Sequence, residues 1–163
     1  MVEVPQPPPD GYTIRDGTTD DIPMLVRHRL RMFEDMGVAV DAQAMSAAFA
    51  AWLDVHMRAG AYRAWLVEHH DGIVAGGGLT VLPWPPGPRD LSGRLPIVYN
   101  IYTEPAHRRR GLARTIMQTI HAWCLEAGYP TVALAASDDG RSMYESLGYR
   151  ESPRPYMFVT LSH

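Results

Sequence analysis

Residues 95–120 read Leu-Pro-Ile-Val-Tyr-Asn-Ile-Tyr-Thr-Glu-Pro-Ala-His-Arg-Arg-Arg-Gly-Leu-Ala-Arg-Thr-Ile-Met-Gln-Thr-Ile. Ile97 to Thr103 is rich in β-branched and aromatic residues, which suits a buried strand. Pro105 ends it, because proline has no N–H for a ladder and restricts the residue before it. From Gly111 onward, Leu112, Ile116, Met117 and Ile120 recur at helical spacing and make one apolar face. The turn between strand and helix therefore lies at a helix N-terminus, where backbone N–H groups lack intrahelical partners and the macrodipole is positive. Arg108, Arg109, Arg110 and Arg114 add cationic side chains there. Such a site suits a phosphate or pyrophosphate. An arginine run is more often a solvated face and a single glycine is weak evidence, so the spacing has to decide. The turn ends in neither Gly-Lys-Ser nor Gly-Lys-Thr, and it lacks the three glycines of the dinucleotide fingerprint.

The chain has 163 residues, enough for one domain with a sizeable core. Hydrophobic residues make up 46% and charged residues 20%, an ordinary balance for a soluble globular protein. The net charge of −3 gives no support to general nucleic-acid binding. All 15 basic residues are arginine, and four of them fall between positions 108 and 114, so positive charge is local. The lone Cys124 excludes an intrachain disulfide, fits a reducing cytoplasmic compartment and reads as a small core residue. No apolar run reaches the ~18 residues of a membrane span. Residues 1–11 hold four prolines and no signal-peptide pattern, and read as a flexible tail. Residues 12–163 read as one domain.

Taken in order, Tyr12–Arg15 suits a short strand. The oxygens of Thr18, Thr19, Asp20 and Asp21 suit the cap of a helix running to Met36, with Met24, Leu25, His28, Met32 and Phe33 on its apolar side. A second helix runs from Asp41 to Arg58, presenting Met45, Phe49, Trp52, Leu53 and His56. Tyr62–His69 and Ile73–Leu82 form a hairpin, with Asp71-Gly72 as its turn signal. Gly76, Gly77 and Gly78 predict a bulge or a close approach within the second of these strands. Pro83–Pro96 reads as an irregular loop. After the central unit come a short parallel strand (131–136), a short helix (140–147) and two last strands, Tyr149–Ser152 and Tyr156–Leu161. His69 and His70, as neighbours on a strand, should face opposite ways, and no His, Cys or carboxylate set has metal-ligand spacing.

Arg108-Arg109-Arg110-Gly111-Leu112-Ala113 fits the pattern Arg/Gln-x-x-Gly-x-Gly/Ala. Following a strand and opening a helix, it resembles the acetyl-coenzyme A signature of the GNAT superfamily of N-acetyltransferases. Ala136 to Tyr149 resembles that family's closing motif, a small-residue helix carrying Met143-Tyr144 and ending in Leu147-Gly148-Tyr149. The element order β-α-α-β-β-β-α-β-α-β-β is also that of the family, so the resemblance spans residues 12 to 161. It implies an α/β fold with a mixed, mostly antiparallel sheet, a central parallel pair of splayed strands and helices on both faces.

Carried over by position, the backbone of Arg109 to Ala113, flanked by Arg108 and Arg114, would hold the pyrophosphate of acetyl-coenzyme A. The backbone of Ile101, Tyr102 and Thr103 would pair with the pantetheine arm like an added strand. Ser137 stands where the family often has asparagine near that arm. Tyr144 matches the tyrosine many relatives use as general acid, and a phenol with a pKa near ~10 can protonate a departing thiolate at pH 7. The side chains corresponding to the general base of some relatives are Ile97 and Tyr99, with Asn100 and Tyr102 on the other face. That leaves water, Glu34, Glu68 or an already neutral acceptor to take the proton.

The implied activity is acetyl transfer from acetyl-coenzyme A to an amine by direct attack in a ternary complex. The partner would be a small-molecule or peptide amine, with no nucleic acid, membrane or metal, and a homodimer is left open. The competing reading is a catalytically silent acyl-coenzyme A-binding module. Acetylation of transfer-RNA-linked aminoacyl groups fits the acidic net charge poorly.

Overall fold

The structure, a computed structural model, describes residues 5–154 and 156–161. Its elements are β1 (Thr13–Asp16), α1 (Ile22–Asp35), α2 (Ala42–Arg58), β2 (Tyr62–His69), β3 (Gly72–Pro83), β4 (Arg94–Thr103), α3 (Leu112–Glu126), β5 (Ala133–Leu134) and α4 (Arg141–Ser146). One-turn 3-10 segments, Thr19–Asp21 and Pro105–His107, precede α1 and the arginine turn. One five-stranded sheet runs in the order β1-β2-β3-β4-β5, antiparallel except for the parallel pair β4–β5.

β2 shows how the sheet divides two cores. Trp65 and Val67 join a cluster with Leu112, Ile116, Met117 and Ile120 of α3. Ala64 and Leu66, pointing the other way, join Leu25 and Val26 of α1 with Phe49 and Leu53 of α2. This is the two-residue alternation of a strand buried on both faces. The start of α1 is fastened to the sheet by Arg15, which donates to both Asp21 oxygens at 2.8 Å and to Glu68 at 2.7 Å. The guanidinium holds the Asp21 carboxyl below the usual carboxylate range. Asp41 caps α2 by accepting the Ala44 amide at 3.0 Å.

The glycine triplet does what its position predicts, for a packing reason. A Cβ on Gly76 would lie 2.8 Å from Leu66 Cδ2, one on Gly77 would lie 2.3 Å from Ile101 Cδ1, and one on Gly78 would lie 2.3 Å from the Tyr62 hydroxyl. Opposite it, Tyr99 pairs with Gly78 and Tyr102 with Gly76, so Asn100 and Ile101 together face Gly77. Asn100 takes φ 61°, a left-handed conformation that asparagine tolerates better than most residues. β4 therefore carries a β-bulge.

Several expectations are corrected. The strand alternation that separates Tyr99 from Asn100 and Tyr102 fails at this bulge. Val98 and Ile101 pack on the α3 side, while Asn100 and Tyr102 turn toward Tyr62 and His28, and Tyr99 lies close enough to Arg29 and Tyr62 to act on their charge. The Pro83–Pro96 loop is largely a prolonged hairpin. β4 already begins at Arg94, the Trp84 amide donates to Gly93, and Gly87 and Asp90 bond each other.

Tyr149–Ser152 and Tyr156–Leu161 form no strands among the described residues, so β5 ends the described sheet. Tyr149 is held instead at the end of α4, its amide donating to Tyr144 and its hydroxyl 2.8 Å from His121. Pro153 breaks the ladder that would follow. Residues 1–4 of the expected tail lie outside the described residues. Further along it, the Gln6 amide reaches Gln118 Oε1 and Tyr12 donates to the Pro9 carbonyl.

Candidate active site

β5 pairs with β4 only at Ile97 and Val98. Beyond them the β5-side edge of β4, from Tyr99 to Thr103, has no strand beside it among the described residues. The two parallel strands thus part, and a cleft of about 900 Å³ opens between β4, the arginine turn, α1 and α4. That volume is in the range of small-molecule sites. Ile101, Tyr102, Thr103, Arg108, Arg109, Gly111, Leu112, Ala113, Arg114, Ser137 and Tyr144 all line it. Arg110 alone of the sequence-predicted residues does not.

The turn is exposed from Arg108 to Gly111. Its backbone is unusual at two points, with Arg109 at φ 63° and Gly111 at φ 82°. For arginine that conformation is uncommon and costs roughly 1 kcal/mol, and such strain tends to occur where backbone serves a ligand. The Thr115 amide donates to the Gly111 carbonyl at 3.0 Å. Among the described residues, no protein carbonyl takes the amides of Arg109 to Ala113. Open, positively polarised N–H groups at the head of a fifteen-residue helix fit a pyrophosphate.

The side chains around the turn divide their work. Arg108 folds back, donating from Nε to the Thr103 carbonyl at 2.9 Å and pairing with Asp35 of α1, so it braces the turn against β4 and α1. Arg114 reaches Ser146 of α4. Ser137 Oγ accepts the Gly140 amide at 3.3 Å, which shapes the loop that opens α4.

Tyr144 is buried at the cleft wall, its ring edge-on to Tyr149 with centroids 5.9 Å apart. Burial pushes its phenol up to about 12. Gly140 makes room for it, since a Cβ there would lie 2.8 Å from Tyr144 Cε2.

On the side of the cleft away from the turn lies a group the sequence pattern does not single out. Arg29 of α1 is stacked between Phe33 and Phe49, 4.9 and 4.8 Å from their ring centres, and donates to Asn100 Oδ1 at 2.6 Å. Asn100 in turn donates to the Tyr62 hydroxyl at 2.9 Å. Burial lowers the Arg29 guanidinium from its ordinary value and pushes Tyr62 up to about 12. The available signal was an asparagine inside a β-branched run, opposite three glycines. The two carboxylates proposed as bases are elsewhere, Glu34 on the exposed side of α1 with Arg31 and Glu68 with Arg15 at the β1–β2 pair.

Parted parallel strands over an amide-lined turn, with a phenol on the cleft wall, suit a thioester carrier that ends in a diphosphate. A family model described as an acetyltransferase (GNAT) domain matches residues 60–151, so the chain belongs to the GNAT acetyltransferases, which use acetyl-coenzyme A. A GCN5-related N-acetyltransferase from Ralstonia eutropha is 30% identical with a TM-score of 0.86, covering 91% of this chain and 99% of its own. A predicted acetyltransferase with acetyl-CoA from Clostridium acetobutylicum is 23% identical with a TM-score of 0.84, covering 91% and 96%. A ribosomal-protein-alanine N-acetyltransferase from Brucella melitensis shares the fold at 17% identity, with a TM-score of 0.69 and coverage of 93% and 99%. No curated protein matches the chain.

Proposed function

We propose that the chain transfers the acetyl group of acetyl-coenzyme A to the nitrogen of a small-molecule or peptide amine, by direct attack within one ternary complex. The observation carrying this reading is that Tyr144 lines the same cleft as the open amides of Arg109 to Ala113. Acetyl-coenzyme A supplies the acyl group already activated as a thioester. The amides at the head of α3 hold its diphosphate, and the unpaired edge of Ile101 to Thr103 receives its arm in the manner of an added strand. Tyr144, neutral well beyond physiological pH, keeps a proton at Oη for the sulfur that leaves. Neither Glu34 nor Glu68 takes part. The amine gives its proton to water in the open cleft, and water returns one to the Tyr144 phenolate.

The test is thiol release across a panel of amines, with Tyr144→Phe beside the wild type. A positioned acid contributes on the order of 10²-fold or more. The variant is expected to lose about that much in kcat while its acetyl-coenzyme A Kd stays within about twofold. Equal rates in both proteins would remove Tyr144 as the acid. Tight cofactor binding with no release to any amine would identify a silent binding module instead.

A further inference from the structure

The tip of the β2–β3 hairpin lies beside the 3-10 turn that leads into the arginine turn. His69 ends β2, and His70 and Asp71 form the connection, closed by Gly72 at φ 103°. His70 is thus in the turn, where strand alternation does not apply. Its ring lies 3.9 Å from that of His69, correcting the expectation that the two face opposite ways. His107, distant in sequence, arrives from the other side. Asp71 Oδ2 is 3.0 Å from His69 Nδ1 and 3.3 Å from His107 Nε2. The three donor atoms lie within 4.8 Å of one another, the one such group among the described residues.

We propose that His69, Asp71 and His107 form a binding site for a divalent transition-metal ion, with Zn²⁺ the best match.

The donor set and its spacing argue for it together. Two imidazole nitrogens and one carboxylate oxygen suit a borderline ion such as Zn²⁺ better than Mg²⁺ or Ca²⁺, which take oxygen shells. Bonds of ~2.0–2.1 Å in tetrahedral array put neighbouring donors ~3.3 Å apart, and the Asp71 oxygen stands at about that distance from both imidazoles.

A second observation concerns the back of the site. Tyr12 Oη lies 2.9 Å from His107 Nδ1, in a buried contact. With Nδ1–H donating to that oxygen, Nε2 keeps its lone pair and points at Asp71. This is the tautomer a metal ligand needs, held by the outer partner that ligating histidines usually have. The same Tyr12 ring stacks on His69, with centroids 4.6 Å apart, so one side chain orients both imidazoles. The fourth position is left to water or to His70, whose Nε2 is 3.1 Å from the other carboxylate oxygen. A bound ion would clip the hairpin tip to the entry of the arginine turn.

The experiment uses the full chain without an affinity tag, stripped with a chelator and then titrated with Zn²⁺ against a chromophoric competitor. Co²⁺ serves as spectroscopic stand-in. One equivalent is expected at micromolar Kd or tighter, with the visible bands of tetrahedral Co²⁺. Asp71→Ala, at a half-exposed turn, and His69→Ala, each with its fold checked by circular dichroism, should each weaken binding by at least tenfold. Tyr12→Phe should weaken it about tenfold, the lower end for an outer-shell partner. His56→Ala, on α2, should change nothing. Absence of stoichiometric binding overturns the proposal, as does binding that survives Asp71→Ala and His69→Ala.

Discussion

Acidification should destabilise the fold chiefly through His28, the histidine that burial shifts furthest. Its side chain on α1 is 1% exposed, and neither ring nitrogen has a hydrogen-bond partner among the described residues. Burial lowers the imidazole from its ordinary 6.5 to about 4, against the opposing pull of Glu104, whose carboxylate is 3.9 Å away. The unfolded chain therefore takes up a proton as pH falls through 6.5, while the folded chain refuses it until about 4. Stability is full above 6.5 and drains away between those limits. At 1.36 kcal/mol per pH unit, the loss over the ~2.5-unit window comes to about 3 kcal/mol. For a domain of this size that corresponds to a fall in Tm of about 10 °C. The assay is urea unfolding at pH 7.5 and 4.5, for wild type and His28→Phe. Asp21 loses its own stabilising charge only at lower pH, below the ordinary carboxylate value, and His121, which burial also lowers, acts alike in both proteins, so the difference between their slopes isolates His28. The variant's absolute stability matters less than its slope, which should flatten by most of that 3 kcal/mol. Equal slopes in both proteins would refute the reasoning, as would an NMR titration placing the His28 midpoint above 6.

Two further substitutions probe the cleft. Gly111→Gln and Gly111→Glu impose the same left-handed strain, roughly 1 kcal/mol, but only the glutamate sets a negative charge beside the proposed diphosphate site. Isothermal titration should show acetyl-coenzyme A bound on the order of tenfold more weakly by Glu than by Gln, and equal affinities would remove the turn as the diphosphate site. Gly77→Ala drives a methyl against Ile101 Cδ1 and Ile116 Cγ2, which should cost about 1–3 kcal/mol in chemical denaturation. Adding Ile101→Val removes the atom in the way and should recover part of it.

The central strand, turn and helix were legible because each signal is local: the β-branched run, Pro105, Gly111 and the helical spacing from Leu112 to Ile120. So was the turn's open backbone, since any helix start leaves amides without partners. What was not legible depends on register. The asparagine in Ile97–Thr103 hints at an irregularity opposite the three glycines, but the strand alone does not fix which residue is left over, and one extra residue re-aims every side chain after it. The histidine cluster escaped for a similar reason. Its third donor lies 36 residues beyond Asp71, brought there by the hairpin and by the turn after β4. Tyr149–Ser152 illustrates the reverse error, where β propensity is present but the α4 cap takes the tyrosine's amide.

The bulge ties these parts together. Without it, strict alternation would put Val98, Asn100 and Tyr102 on one face, and Asn100 could not both pack under α1 and leave Val98 in the α3 core. With it, Asn100 reaches Arg29 and Tyr62, while Ile101 drops into the space the glycines leave, against α3. Past that point β4 no longer runs beside β5, and its edge opens toward the arginine turn. The cleft is therefore a consequence of strand register rather than of any one side chain. Substitutions that keep the chemistry but restore regular pairing at Gly77 should harm binding more than loss of a cleft-lining arginine would, because they act on the edge, the floor and the Arg29 network at once.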